Sequence, residues 1–110
     1  MRKGFLIICS LLLSSYAFAA EFKCRTLINL QEVSSTTVKT DGAKKIVIDD
    51  GTEAISYLSE KSNGGYTVEA YMYNYDMRLY SEGPASSERD LSLSMWSRDV
   101  IYEVSCRSLK

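Results

Sequence analysis

Three sets of residues in this chain are of types that do chemistry: the cysteines at positions 9, 24 and 106, the acids Asp49, Asp50 and Glu53, and the tyrosines Tyr71, Tyr73 and Tyr75. All three point to structure or binding rather than to catalysis. The sequence contains no histidine, so the commonest general base and the commonest zinc ligand are both missing. No P-loop, GxGxxG or GxSxG segment occurs, which takes away the usual phosphate cradles and the nucleophile elbow. Paired carboxylates do acid–base work in some hydrolases, yet Asp49, Asp50 and Glu53 surround an Asp-Gly step, the spacing of a solvated hairpin turn. Adjacent acids at one turn also fall short of the six or more oxygens that calcium takes. Ser92 and Ser94 alternate with Leu91, Leu93 and Met95, the pattern of a strand's wet face rather than of nucleophiles. The expectation is a protein that is not an enzyme, with no metal and no cofactor.

The cysteines acquire meaning from the amino-terminal segment. Arg2 and Lys3 precede an apolar run from Phe5 to Leu13, and Ala17-Phe18-Ala19 supplies a small-x-small cleavage pattern. This is the layout of a secretory signal peptide, residues 1–19, removed so that the mature chain begins at Ala20. The apolar run is shorter than the roughly 20 residues a membrane helix needs, so no membrane span is expected. Cys9 lies inside that run behind Ile8, which is not the setting of a lipid-anchored cysteine. Cleavage of 19 residues from 110 leaves 91, one domain over 20–110. A domain of this size buries only about 60–65% of the surface its unfolded chain exposes. Cys24 and Cys106 then remain as a pair, with neither CxxC spacing nor histidine to suggest redox or metal work, and an oxidising compartment should join them. Closing a ring of about 80 residues stabilises by up to about 4.5 kcal/mol in the loop-entropy model. The expected location is the periplasm of a Gram-negative bacterium, or the secreted fraction. Loss of Arg2 and Lys3 takes the net charge from −1 to −3. Neither nucleic acid nor an acidic membrane is drawn to such a chain, and Lys44-Lys45 reads as a solvated turn.

Short alternating runs separated by turn signals must position these residues, and no segment keeps a helical period. Phe22, Cys24, Ile28 and Leu30 mark a first strand in which Leu27 breaks the alternation, and Thr36 to Thr40 forms a weak second. Asp41-Gly42 turns the chain into Lys44 to Asp49, and Asp50-Gly51 predicts a two-residue hairpin link with positive φ into Thr52 to Ser59. Asn63-Gly64-Gly65 leads into Tyr66 to Tyr73. A reversal at Asn74 to Asp76 then returns through Met77 to Ser81, unless Tyr66 to Ser81 is one long bulged strand. The last two strands hold Leu91, Leu93 and Met95, then Val100, Tyr102, Val104 and Cys106. Seven or eight strands with short links predict an all-β, antiparallel up-and-down barrel, or an open sandwich, with the disulfide clasping the first strand to the last. Phe22, Ile28, Ile46, Ile48, Val68, Leu91, Leu93, Val100, Tyr102 and Val104 are the expected core.

Recognition is the expected role. If Val68, Ala70 and Met72 face the core, then Tyr71, Tyr73 and Tyr75 stand on the opposite side at a two-residue rise of about 7 Å. Such a row can stack the sugars of a cell-wall glycan or anchor an envelope protein. The alternative for these tyrosines is structural, covering cross-strand neighbours or filling a barrel mouth. Trp96, out of phase with Leu91, Leu93 and Met95, either joins that surface or caps an end of the barrel. Two other roles stay open: an inhibitor of an extracytoplasmic enzyme acting through the 81–89 loop, with Pro84 and the charges of Glu82, Glu88 and Arg89, and a purely structural envelope protein. A monomer is expected.

Overall fold

Alternating apolar residues give each run one buried side, and two such sides packed together account for the architecture. The computed structural model describes residues 20–109, so the expected signal segment lies outside the described residues. The strands are β1 (Glu21–Ile28), β2 (Gln31–Lys39), β3 (Ile46–Asp50), β4 (Ala54–Glu60), β5 (Tyr66–Met72), β6 (Met77–Gly83), β7 (Leu91–Trp96) and β8 (Ile101–Ser108). Among the described residues there is no helix. The strands form two four-stranded antiparallel sheets, ordered β2-β1-β8-β7 and β3-β4-β5-β6.

The first and last strands pair antiparallel, as an even count of alternating strands permits. Cys24 and Cys106 are directly opposite in the β1–β8 ladder, 4.1 Å apart at Cα, fully buried and joined in a disulfide. The hydrogen-bonded ladder breaks between β2 and β3 and again between β6 and β7. The molecule is thus a two-sheet sandwich with the strand sequence of a meander, rather than a closed barrel.

Phe22, Val38, Leu91, Leu93, Met95, Val100, Tyr102 and Val104 of the first sheet and its turns pack on Ile48, Ala54, Leu58, Val68, Ala70 and Met72 of the second. Of the expected core, Ile28 and Ile46 reach only its margin, where they are half-buried. Two buried hydroxyls carry a cost: Thr26 Oγ1 and Tyr102 OH have no hydrogen-bond partner among the described residues. Tyr102 has Ser56 as its polar neighbour without reaching hydrogen-bond geometry, and burial pushes its hydroxyl up to about 12.

Several turns differ from expectation for identifiable reasons. Asn29 and Leu30 both adopt positive φ, 53° and 70°, so Leu30 belongs to a two-residue hairpin turn and not to a strand. Asn29 secures that turn by donating its backbone N–H to the Ile101 carbonyl (2.8 Å) and accepting the Ile101 N–H on Oδ1 (2.9 Å). Leu27 keeps phase with Arg25 in the β1–β8 ladder; it is an apolar residue on the outer face, and the irregularity beside it is a register shift against β2. The second strand is longer than its weak apolar pattern implied, because its Ser and Thr residues pair along β1 from Gln31 to Lys39. Asp50-Gly51 does reverse the chain, but through Gly51–Glu53, with the Gly51 N–H donating to the Ala54 carbonyl at 3.0 Å. Neither Asp50 nor Gly51 takes positive φ. Residues 73–76 form a true reversal, closed with Asp76 at φ 47°, which rules out a single long strand.

Two outcomes test this description. Cys24→Ser and Cys106→Ser should each cost about 2–4 kcal/mol, a loss on the order of ten to twenty degrees in Tm for a domain of this size; equal melting of the oxidised and reduced protein would contradict the clasp. Tyr102 has a folded pKa above its unfolded value of 10.0, so its contribution is intact below pH 10 and is lost as pH rises through about 12. Tm should fall over that window, and Tyr102→Phe should flatten the fall while leaving neutral-pH stability equal or slightly higher, since it removes an unpaired buried hydroxyl.

Candidate binding face

On the second sheet the phase of the core residues decides what faces outward. Because Ala54, Ser56 and Leu58 are buried in β4, and Val68, Ala70 and Met72 in β5, Ile55, Tyr57, Glu69 and Tyr71 project from the other side. The ladder aligns them in two rows: Val47, Tyr57, Glu69 and Tyr80 in one, and Ile55, Tyr71 and Arg78 in the next. Glu69 consequently sits between two tyrosines near the centre of the outer face.

An acid on the outer side of a sheet is ordinarily wet, yet the Glu69 side chain is only 5% exposed. It tolerates this because two cations reach it. Lys45 Nζ lies 3.0 Å from Oε1, and Arg78 Nε 3.4 Å from Oε2. Lys45 also passes over the Tyr57 ring, 5.8 Å from its centroid, where the ring's negative face favours the ammonium. Lys45, Ile55, Tyr57, Glu69, Tyr71 and Arg78 line an open depression of about 320 Å³. Sequence reasoning assigned Lys45 to a solvated turn and gave Tyr57, Glu69, Arg78 and Tyr80 no role. Only cross-strand register joins them, and no local pattern carries it.

The expected aromatic row is partly assembled. Tyr71 and Tyr73 stand edge to face with centroids 5.8 Å apart. Tyr71 donates its hydroxyl to Asp76 Oδ1 and Tyr73 to Asp50 Oδ1, each at 2.6 Å. The accepting carboxylate is the main reason that the Tyr71 hydroxyl is raised above its ordinary value and the Tyr73 hydroxyl is pushed up to about 12. Tyr75 belongs to the turn after β5 and reaches across to Ser97 Oγ at 3.2 Å in the β7–β8 turn. Trp96 ends β7 in the other sheet, is 71% exposed and makes no ring contact among the described residues. It therefore neither joins Tyr71 and Tyr73 nor caps the sandwich interior.

Side-chain ties of this kind connect the turns at one end of the molecule. Asn29 fastens to Ile101, Ser97 to Tyr75, Tyr73 to Asp50, and Asn74 Nδ2 to Glu53 Oε2 at 3.5 Å. The acids near Asp50 thus act as acceptors for the β5–β6 turn. The tyrosine edges are structural while substantial ring surface of Tyr73 (42% exposed) stays open.

The 81–89 segment is shorter as a loop than its sequence suggested, because Ser81, Glu82 and Gly83 belong to β6. What remains is fastened down. Ser86 and Arg89 exchange backbone hydrogen bonds, the Ser108 N–H donates to the Ser86 carbonyl at 3.3 Å, and Asp90 Oδ1 accepts from Arg107 Nε at 2.6 Å.

Comparison with protein-family models, with curated proteins and with solved structures finds no match for this chain.

The electrostatics of the face yield a stability test. Lys45→Met combined with Arg78→Met leaves the Glu69 carboxylate covered and unpaired, and should cost about 2–3 kcal/mol in urea unfolding. Glu69→Gln leaves two half-exposed cations that water can serve, and should cost about 1 kcal/mol or less. The reverse order would show that Glu69 is solvated in solution.

Proposed function

We propose that the chain is an exported, non-catalytic binding protein of the bacterial envelope that holds a glycan on the outer face of the β3-β4-β5-β6 sheet. The observation that carries this reading is the depression in which aromatic rings border a covered carboxylate and two cations. Sugars present C–H faces that pack on aromatic rings, and hydroxyls that need donors and acceptors held in place. Tyr57, Tyr71 and Tyr73 provide the rings, and Lys45 and Arg78, each about half exposed and held in place by the covered Glu69 carboxylate, provide the donors. Pre-organisation of this kind lowers the ordering cost of binding.

Export to the periplasm or beyond is part of the proposal. It draws on the amino-terminal pattern of residues 1–19 and on the disulfide, and accords with the finding that no helix among the described residues is long and apolar enough to cross a membrane. The glycan is favoured over an inhibitory loop because the 84–90 segment is tied to β8 through Ser86 and Asp90.

Binding of the purified protein to solubilised cell-wall glycan tests the reading. Tyr71→Ser and Tyr73→Ser should each weaken binding about 3- to 10-fold, the range of one aromatic contact. Tyr73→Phe, which keeps the ring and loses the tie to Asp50, should bind nearly as well as the wild type. Unchanged binding in both serine variants, or loss confined to substitutions at Pro84 and Glu88, would overturn the assignment.

A further inference from the structure

The opposite side of the sandwich holds a cluster that the proposed glycan face does not use. In the β1–β8 ladder Lys23 lies directly opposite Arg107, and Arg25, two residues along, lies opposite Ser105. All four face outward, because Phe22, Cys24, Thr26, Val104 and Cys106 face the core. Like charges directly opposite one another destabilise a sheet, so the Lys23–Arg107 pairing opposes the fold that carries it. Neutralisation is incomplete. Asp90 holds Arg107 through Nε at 2.6 Å, which leaves the terminal amino groups of that guanidinium unbonded among the described residues. Arg25 Nη1 is 3.8 Å from Glu32 with both side chains about half exposed, a pair of little energetic weight. Lys23 has no ion pair among the described residues. With Asp90, Ser105 and Leu109, the three cations line a depression of about 290 Å³. A local excess of positive charge in a chain of net charge −1 makes this a discrete site and not a generally basic surface.

We infer that Lys23, Arg25 and Arg107 form an oxyanion site that takes a phosphoryl group. Adjacent strands are separated by about 4.8 Å and residues two apart along a strand by about 6.8 Å, so the three long side chains that line the depression are within reach of one tetrahedral anion by side-chain rotation alone, Arg25 leaving its weak pairing with Glu32. Arginine forks match phosphate oxygens, the lysine ammonium adds a point charge, and Ser105 in the same lining has a hydroxyl to donate; the Asp90 carboxylate, which alone would oppose an anion there, is occupied by Arg107 Nε. A bound dianion also removes the repulsion between Lys23 and Arg107.

The test is a titration of the isotope-labelled protein with inorganic phosphate, against sodium chloride at matched ionic strength, together with co-sedimentation with phosphatidylglycerol vesicles and with phosphatidylcholine vesicles. Phosphate, and not chloride, should shift the amides of Lys23, Arg25, Ser105 and Arg107 saturably, and Lys23→Gln and Arg107→Gln should each weaken binding at least 5-fold. Lys23→Gln should leave Tm unchanged or raised, because it relieves the like-charge pair. Saturable free phosphate identifies a soluble source of the group. Sedimentation with phosphatidylglycerol alone, lost in the same variants, identifies a lipid headgroup. Absence of both, equal binding by the Lys23→Gln/Arg107→Gln double variant, or a fall in Tm for Lys23→Gln would overturn the inference.

Discussion

Everything in this structure depends on the two ends of the described chain meeting. β1 and β8 lie at the centre of one sheet, and β2 and β7 hang from them as its edges. The other sheet is a run of local hairpins, and isolated hairpins are marginal in water until a second apolar layer covers them. That layer exists only when residues separated by 82 positions pair, which makes its formation a long loop closure. The disulfide converts the closure from an entropic cost of folding into a fixed property of the chain. It also sits in the core, so the same two side chains that close the loop contribute to the packing that closure makes available.

How much of this was legible in the sequence follows from what is local and what is not. Alternation around Phe22, Leu91, Leu93, Tyr102 and Val104 is a property of each strand alone and places these residues in the core; the pairing of first and last strands is legible from the strand count and from Cys24 and Cys106 as the remaining cysteine pair. The Asn29-Leu30 turn was not legible. Its positive φ at both positions is ordinarily signalled by Asn-Gly, and here a tertiary hydrogen bond from Ile101 to Asn29 supports a leucine in that conformation. The choice between barrel and open sandwich, both of which the sequence leaves open, depends on the same kind of non-local fact: residue type shows that β2 and β3 are consecutive strands, but not whether their backbones reach hydrogen-bond distance, and here they do not form a ladder.

The candidate face shows the same division more sharply. The phase of β5 made it legible that Glu69 and Tyr71 share a side opposite Val68 and Ala70. That Glu69 is covered there depends on Lys45 from before β3, Tyr57 from β4, and Arg78 and Tyr80 from β6, all brought to it by register. Tyr73 and Tyr75, singled out by sequence as aromatic platforms, use their hydroxyls to tie neighbouring turns. The structural and recognition readings of these tyrosines are compatible, because the first occupies the hydroxyl edge and the second needs only the ring face.

The most direct measurement of the central claim, that the outer face of the β3-β4-β5-β6 sheet is where this protein meets its ligand, is amide chemical-shift mapping of the folded protein during addition of soluble cell-wall oligosaccharides. The account predicts saturable shifts confined to Lys45, Ile55, Tyr57, Glu69, Tyr71, Tyr73 and Arg78. Shifts confined to residues 84–90, or none at saturating oligosaccharide, would contradict it.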